Sequence, residues 1–226
     1  FCWIWGNESL PNMSNIKLVV FDMDGTLLRE RSCWEYIHRH FGVDNTEMLK
    51  LYMEHKISDQ EFAESDIRLW KENSDEKVNE SYINSILDEI KPIEGAEELI
   101  HALQKNGVKT AILSGGIKYL ANKWAEKWNM ECAIANRIVD DEDGNLKAII
   151  ESSGHAKGPI MDQLLEKMGF TKEEVASVGD TNVDIPLFQR SGLGIAVNTD
   201  DERVISEADY HLKENNLRKL IPVIIN

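Results

Sequence analysis

Two aspartates one residue apart, Asp22 and Asp24, close an apolar run in the stretch Val19–Leu28, VVFDMDGTLL. Like charges this close repel, so the pair needs a reason. In a loop leaving a strand, residues i and i+2 can face one cavity. One carboxylate can then attack phosphorus and form an aspartyl phosphate. The other can protonate the leaving oxygen and later deprotonate the hydrolytic water. Other apolar runs end in a similar way. Ser114, Gly115 and Gly116 follow one, and Gly179, Asp180, Thr181, Asn182 and Asp184 follow another, with Lys157 opening the helix between them. Three or four carboxylates suit Mg²⁺, which prefers hard oxygen ligands and retains waters. The metal would also relieve the repulsion between Asp22 and Asp24. The serine hydroxyl, backbone amides near Gly115 and the lysine ammonium suit phosphoryl oxygens. Lysine and metal together would stabilise the equatorial oxygens of a phosphoryl transition state.

Such a set needs elements that bring distant residues to one edge. Ile16–Phe21 reads as a buried strand, a short β-branched and aromatic run. From Cys33 to about Ile90 the chain turns polar, with apolar residues at helical spacing: Trp34, Ile37, Phe41; Phe62, Ile67, Trp70; Tyr82, Ile86, Ile90. Three or four amphipathic helices are expected there, broken at GVDN and ISDQ, with Pro92 stopping the last. Helix and strand then alternate. Strands are predicted over Val108–Leu113, Ala133–Val139, Leu146–Glu151, Val175–Val178, Leu193–Val197 and Tyr210–Leu212. Helices are predicted over Glu97–Lys105, Lys118–Trp128, Gly158–Met168, Ile185–Arg190, Asp201–Ala208 and the tail from Asn216. DDEDGN reads as a hairpin tip. This alternation implies a parallel sheet covered on both faces, and sites in such sheets form beyond the carboxyl ends of the strands.

The composition narrows the partners. The chain has 226 residues, 42% of them apolar, and a net charge of −15. Such a surface argues against nucleic acid and anionic membranes, and no apolar run reaches the length of a membrane span. A small phosphorylated ligand remains compatible, because a metal and one lysine make the local site positive. Cys2, Cys33 and Cys132 fit neither a disulfide framework nor a zinc site, which favours a reduced, cytoplasmic setting. Phe1–Asn12, FCWIWGNESLPN, lacks a basic start, is too short for a signal peptide and precedes Met13. It is expected to be an N-terminal extension. The alternative is a segment packing Trp3 and Trp5 on the surface or on another subunit.

In order along the chain, Asp22-Met-Asp24-Gly-Thr26, ILSGG (Ile112–Gly116), Lys157 and GDTNVD (Gly179–Asp184) resemble the four motifs of the haloacid dehalogenase superfamily of phosphohydrolases. SGG, ANR (Ala135–Arg137), AKGPIMDQL (Ala156–Leu164) and a helical insertion between the first two motifs are similar to its phosphoserine-phosphatase-like branch. The resemblance implies that Asp22 is the nucleophile and Asp24 the general acid/base. It implies that Ser114 and Lys157 bind phosphate, with Thr26 and Gly115 beside them. Asp22, Asp180 and the backbone carbonyl of Asp24 would hold Mg²⁺, with Asp184 supporting the metal site. The chain departs from the branch at two places. Arg31 stands where a substrate-gripping glutamate is usual, and Val183 precedes the last motif aspartate where asparagine is usual. Arg68 is the candidate for holding a substrate carboxylate.

Structural roles compete with these. Asp22 and Asp24 as a helix cap and a turn residue would leave the clustered carboxylates unexplained. Asp184 could cap the helix starting at Ile185. The six histidines read as structural or exposed; His38 and His40 do not share a helix face, and His155 reads as a loop residue. Trp34, Tyr36, Phe41 and Trp70 read as core, with Trp34 and Arg68 singled out for testing.

The expected fold is α/β: a Rossmann-like parallel sheet with helices on both faces plus a small helical cap inserted after the first strand. Residues 13–30 and 92–226 would form the core, and 31–91 the cap. The expected function is Mg²⁺-dependent phosphomonoester hydrolysis through an aspartyl phosphate. The substrate would be a small phosphorylated metabolite, with phosphoserine a candidate, and the enzyme a monomer or homodimer. The alternatives are phosphotransfer to an acceptor other than water and a non-catalytic phosphate-binding regulator. Intact Asp22, Asp24, Lys157 and Asp180 argue against the regulator. Dehalogenation needs neither the Asp24 acid nor Mg²⁺.

Overall fold

The computed structural model describes residues 15–152 and 157–225. The N-terminal extension, with Cys2, Trp3 and Trp5, and His155 lie outside the described residues. The chain opens with β1 (Leu18–Phe21), followed by four helices, α1 (Cys33–Phe41), α2 (Thr46–Met53), α3 (Asp59–Glu72) and α4 (Glu80–Leu87). It continues through α5 (Ala96–Lys105), β2 (Lys109–Ile117), α6 (Lys118–Lys127), β3 (Cys132–Asp140), β4 (Leu146–Ile149) and α7 (Lys157–Met168). Then come β5 (Val175–Gly179), α8 (Ile185–Phe188), β6 (Leu193–Val197), α9 (Glu202–Glu207), β7 (Tyr210–Leu212) and α10 (Ile221–Ile224).

The strands form one seven-stranded sheet in the order β4-β3-β2-β1-β5-β6-β7. All neighbours are parallel except the β3–β4 hairpin. β1 lies between β2 and β5, so the chain leaves it on one side and returns on the other. Its carboxyl end is therefore the switch point where such sheets bind ligands. Alternation along β1 explains its double burial: Val19 and Phe21 join one apolar cluster, and Leu18 and Val20 the other, with Met161, Leu164 and Leu165 of α7. A parallel strand must be covered on both faces, and this one is.

The helices after β1 start and stop at readable signals. Ser32 caps α1 by accepting from the Glu35 amide, and Gly42 ends it in the left-handed region at φ 65°. Ser58 and Glu61 form a reciprocal capping box on α3, an arrangement that satisfies two otherwise orphaned amides. α4 stops at Leu87, before Pro92, so Ile90 lies beyond the helix although it is buried. The apolar stripes of α1, α3 and α4 share one cluster with the sheet and with Met23, Leu27 and Leu28. Trp70 is fully buried there and stacks on Trp34 at 5.8 Å. The two chain crossings into this layer are paired: Arg29 donates to the Lys91 carbonyl and Ile93 to that of Leu27.

β2 runs past the predicted end at Leu113 to Ile117, with an irregular register against β3 between those residues. The small residues Ser114–Gly116 belong to this bulged end rather than to a loop. A bulge adds a residue and re-aims side chains at a strand terminus.

Candidate active site

The site is assembled at the carboxyl ends of β1, β2 and β5 and the start of α7. The Asp22 amide donates to the Val178 carbonyl of β5 at 2.9 Å, so the ladder holds Asp22 although β1 has ended. The chain then turns tightly, with the Leu27 and Leu28 amides both on the Met23 carbonyl at 2.9 Å. Gly25 sits in this turn at φ 73°. A Cβ there would lie 2.3 Å from Asp180 Oδ2, so both the backbone and the neighbour require glycine.

Lys157, 1% exposed, donates to Asp22 Oδ1 at 2.8 Å and to Asp184 Oδ1 at 2.7 Å. Burial pulls its ammonium down, but the Asp184 and Asp22 carboxylates outweigh it and hold the pKa above the usual lysine value. Asp184 is fully buried, and its Oδ2 accepts from the Asp180 and Thr181 amides, each at 3.0 Å. It precedes α8 but its side chain does not cap that helix. This corrects the capping expectation: the carboxylate is spent on the turn after β5 and on the lysine.

Asp22, Asp180 and Asp184 each offer an oxygen, and the three lie within 4.8 Å of one another. Burial raises the Asp22 pKa to about 7, despite opposition from Lys157. Burial, reinforced by Asp22 and Asp184, raises Asp180 to about 8. Asp180 Oδ2 is buried with no hydrogen-bond partner among the described residues. Crowded buried carboxylates with an orphaned oxygen are costly alone and suit a bound cation. An all-oxygen donor set of this kind fits a metal ion. The Asp24 carboxylate is not in the cluster. Its Oδ2 accepts from the Cys33 amide, the first residue of α1, at 2.9 Å, and its Oδ1 has no partner among the described residues. Burial raises its pKa as well, against the Cys33 amide.

The remaining predicted residues divide. Ser114 is buried at the β2 end, its Oγ accepting from the Gly116 amide at 3.0 Å. Gly115 contributes its carbonyl, which accepts from Trp34 Nε1 at 3.2 Å and Asn136 Nδ2 at 2.9 Å. Thr26 is fully buried, and its hydroxyl donates to Asp180 Oδ1 at 2.9 Å. It therefore holds a carboxylate of the acidic cluster. Arg68 lies apart from these residues. α3 buries Ala63, Asp66, Ile67 and Trp70, and this spacing leaves Arg68 on the exposed side. Arg31 is exposed too and donates to the Asn198 carbonyl.

A cleft of about 480 Å³ lies between the helical layer and the strand ends, with Gly115, Asn182 and Val183 in its wall. Trp34 lines it, as do Asn136 and His38. Sequence reasoning gave Asn136 no role, although it lies in the quoted ANR. Its Oδ1 accepts from the Glu151 and Ser152 amides while its Nδ2 holds Gly115, which ties β3 to the β2 end. Cys33 was also missed, because it acts through a backbone amide that no side-chain motif reports.

Buried carboxylates, an ammonium and a metal-sized acidic cluster at the switch point of a parallel sheet define an enzyme for phosphoryl chemistry. The chain belongs to the haloacid dehalogenase-like hydrolases, which match over residues 16–192, and it is a phosphatase working through an aspartyl phosphate. It is 32% identical to a phosphoserine phosphatase of Methanocaldococcus jannaschii over 92% of this chain and 97% of that one. It is also 32% identical to one of Archaeoglobus fulgidus, over 92% of this chain and 60% of the relative. A solved phosphoserine phosphatase with a phospho-aspartyl intermediate analogue superposes with a TM-score of 0.75 at 29% identity, covering 93% of this chain and 99% of that one. A substrate-bound phosphoserine phosphatase complex gives 0.76 at 29% identity, covering 92% and 98%.

Proposed function

We propose that the chain hydrolyses a small phosphomonoester with Mg²⁺, Asp22 being the nucleophile and Asp24 the general acid/base. The observation that carries this reading is the ion-paired Asp22. Lys157 engages its Oδ1 and leaves Oδ2 without a hydrogen bond from a described residue, available to attack phosphorus. Asp24, whose pKa burial raises, can carry a proton to the leaving alkoxide and take one from water afterwards. Lys157 and Ser114 would hold phosphoryl oxygens. Asp22, Asp180 and the Asp24 carbonyl would hold Mg²⁺, supported by Asp184 and Thr26, and the metal would neutralise phosphoryl charge.

The reading divides the chain into a core, residues 13–30 and 92–226, and a cap, 31–91, that closes over the substrate and excludes water. Paired crossings at Leu27–Arg29 and Lys91–Ile93 suit a hinge. L-phosphoserine is the reference substrate, because the relatives bear that name. The free thiols Cys33 and Cys132 support a cytoplasmic setting, and no described helix is long and apolar enough to cross a membrane. The active unit is a monomer or homodimer that accepts neither nucleic acid nor membrane. The test is phosphate release from small phosphomonoesters with and without Mg²⁺, for the natural chain and Asp22→Asn. Mg²⁺-dependent release that the substitution abolishes supports the reading. Release from the variant at the natural rate removes Asp22 as nucleophile.

A further inference from the structure

The end of β2 carries the Ser114 hydroxyl on backbone that the sheet does not hold. β2 is in register with β1 up to Ile112, and with β3 at Leu113 and again at Ile117. Ser114–Gly116 therefore have no paired residue in either neighbouring strand. Gly116 adds to the freedom of this segment, yet the packing demands it. A Cβ there would lie 2.6 Å from Met23 Cε and 2.9 Å from Asp24 Oδ2. Something other than the ladder must satisfy and fix these peptides.

Two side chains do so, both at the Gly115 carbonyl. Asn136 Nδ2 donates to it from β3 at 2.9 Å, and Trp34 Nε1 donates from α1 at 3.2 Å. That carbonyl and the Gly116 amide belong to one planar peptide and point in opposite directions. Holding the carbonyl therefore aims the amide, which donates to Ser114 Oγ at 3.0 Å. A hydroxyl that accepts in this way is left to donate its own hydrogen, which has no acceptor among the described residues. The indole is braced in turn, because Trp34 stacks on the buried Trp70 of α3 at 5.8 Å.

Resting on the phosphatase reading, we propose that Trp34 is a positioning residue for phosphate binding. Its N–H and the side-chain amide of Asn136 keep the Gly115–Gly116 peptide from rotating. The peptide in turn keeps Ser114 set to donate to a phosphoryl oxygen. The helical layer thus reaches the phosphoryl group through one hydrogen bond to the core, whatever alcohol the ester carries. Asn136 still holds the carbonyl when the indole N–H is lost, so that loss weakens the reaction without abolishing it.

The test uses Trp34→Phe, which keeps an aromatic ring on Trp70 and loses the N–H. Its kcat/KM should fall by about three- to tenfold from the natural enzyme, the scale of one neutral hydrogen bond. The fall should be the same for L-phosphoserine, phosphoethanolamine and p-nitrophenyl phosphate. The inhibition constant of vanadate, a phosphoryl mimic, should rise by the same factor. In a Ser114→Ala background the same substitution should change kcat/KM and vanadate inhibition by less than about twofold, because the peptide then has no hydroxyl to set. An undiminished loss in that background overturns the proposal. So does a Trp34→Phe enzyme within about twofold of the natural one. Losses that differ by more than about threefold among the esters would make Trp34 a contact for the alcohol and overturn it too. If Trp34→Phe does not fold, benzothienylalanine at position 34, with sulfur in place of the N–H, carries the same comparisons. Absence of Mg²⁺-dependent turnover of every ester by the natural enzyme overturns the phosphatase reading instead.

Discussion

The strand ends and the helical layer over them are built on opposite plans. On the sheet side, Asp22, Lys157, Asp184 and Asp180 are buried and joined by side-chain or backbone bonds to the ends of β1 and β5. Their positions follow from ladder register, which a single substitution hardly moves. On the helical side, α2 buries no residue fully, and Leu49 and Met53 are 39% and 55% exposed. The His38–Asp66–Asn45 group and the Trp34–Trp70 stack are the more tightly held parts there. The difference teaches where change is tolerated. In the proposed function, reaction chemistry sits on the rigid side and alcohol choice on the side with fewer constraints.

The largest effect expected on the rigid side is that of Asp22→Asn, which should lower kcat by roughly 10⁴-fold or more while leaving the circular dichroism spectrum unchanged. Lys157→Met should come next. Loss of one charged donor lowers kcat by about 10²–10³-fold, and stranding Asp22 and Asp184 costs about 3–5 kcal/mol in denaturant unfolding without metal. Retained stability in that variant would mean that this side is less rigid than its ion pairs suggest. Thr26→Val removes the hydroxyl on Asp180 and should weaken Mg²⁺ binding by about 10–100-fold, read by calorimetry.

Cys33→Pro tests the joint between the two sides. Cys33 is the first residue of α1, where proline is tolerated, and Ser32 before it is already extended at ψ 119°. The substitution removes the amide on Asp24 together with the buried thiol beside it. It should lower kcat by about tenfold for alkyl phosphates, whose leaving groups need an acid. It should leave p-nitrophenyl phosphate much less affected, and Cys33→Ala, which loses the thiol but keeps the amide, should lose less than Cys33→Pro.

The smallest effect is a pH trend. Burial raises Asp22 to about 7 and Asp180 to about 8 in the metal-free fold. A carboxyl raised above its unfolded value of about 4 stabilises the fold fully only below that value. Metal-free stability should therefore fall as pH rises from about 4 to about 8, and the Mg²⁺-induced rise in Tm should be larger at pH 8 than at pH 6. A Tm shift independent of pH would separate the metal from these carboxylates.

The same contrast explains what could be read in the sequence. Each strand end carries its residues contiguously, as in Asp22–Thr26 and Gly179–Asp184, so the sheet side was legible from local pattern. The parallel order also followed from alternation of strand and helix. Details set by tertiary contact were not legible. The bulged end of β2 and the turn of Thr26 toward Asp180 depend on neighbours distant in sequence. The helical layer was the least legible part. His38, Asp66 and Trp70 come from two helices, and each alone looks like ordinary amphipathic surface or core. Arg68 was singled out by resemblance to a cap arginine, whereas the helical period of α3 buries Asp66 and leaves Arg68 exposed.

The most direct test of the central claim is to trap the intermediate. Enzyme with Mg²⁺ and a turned-over phosphomonoester would be acid-quenched within one turnover, reduced with borohydride and mapped by peptide mass spectrometry. The account predicts homoserine at position 22, the reduction product of an aspartyl phosphate there, and none when substrate is omitted. Turnover with Asp22 unmodified, or with the reduced residue at Asp24 or Asp180, would contradict it.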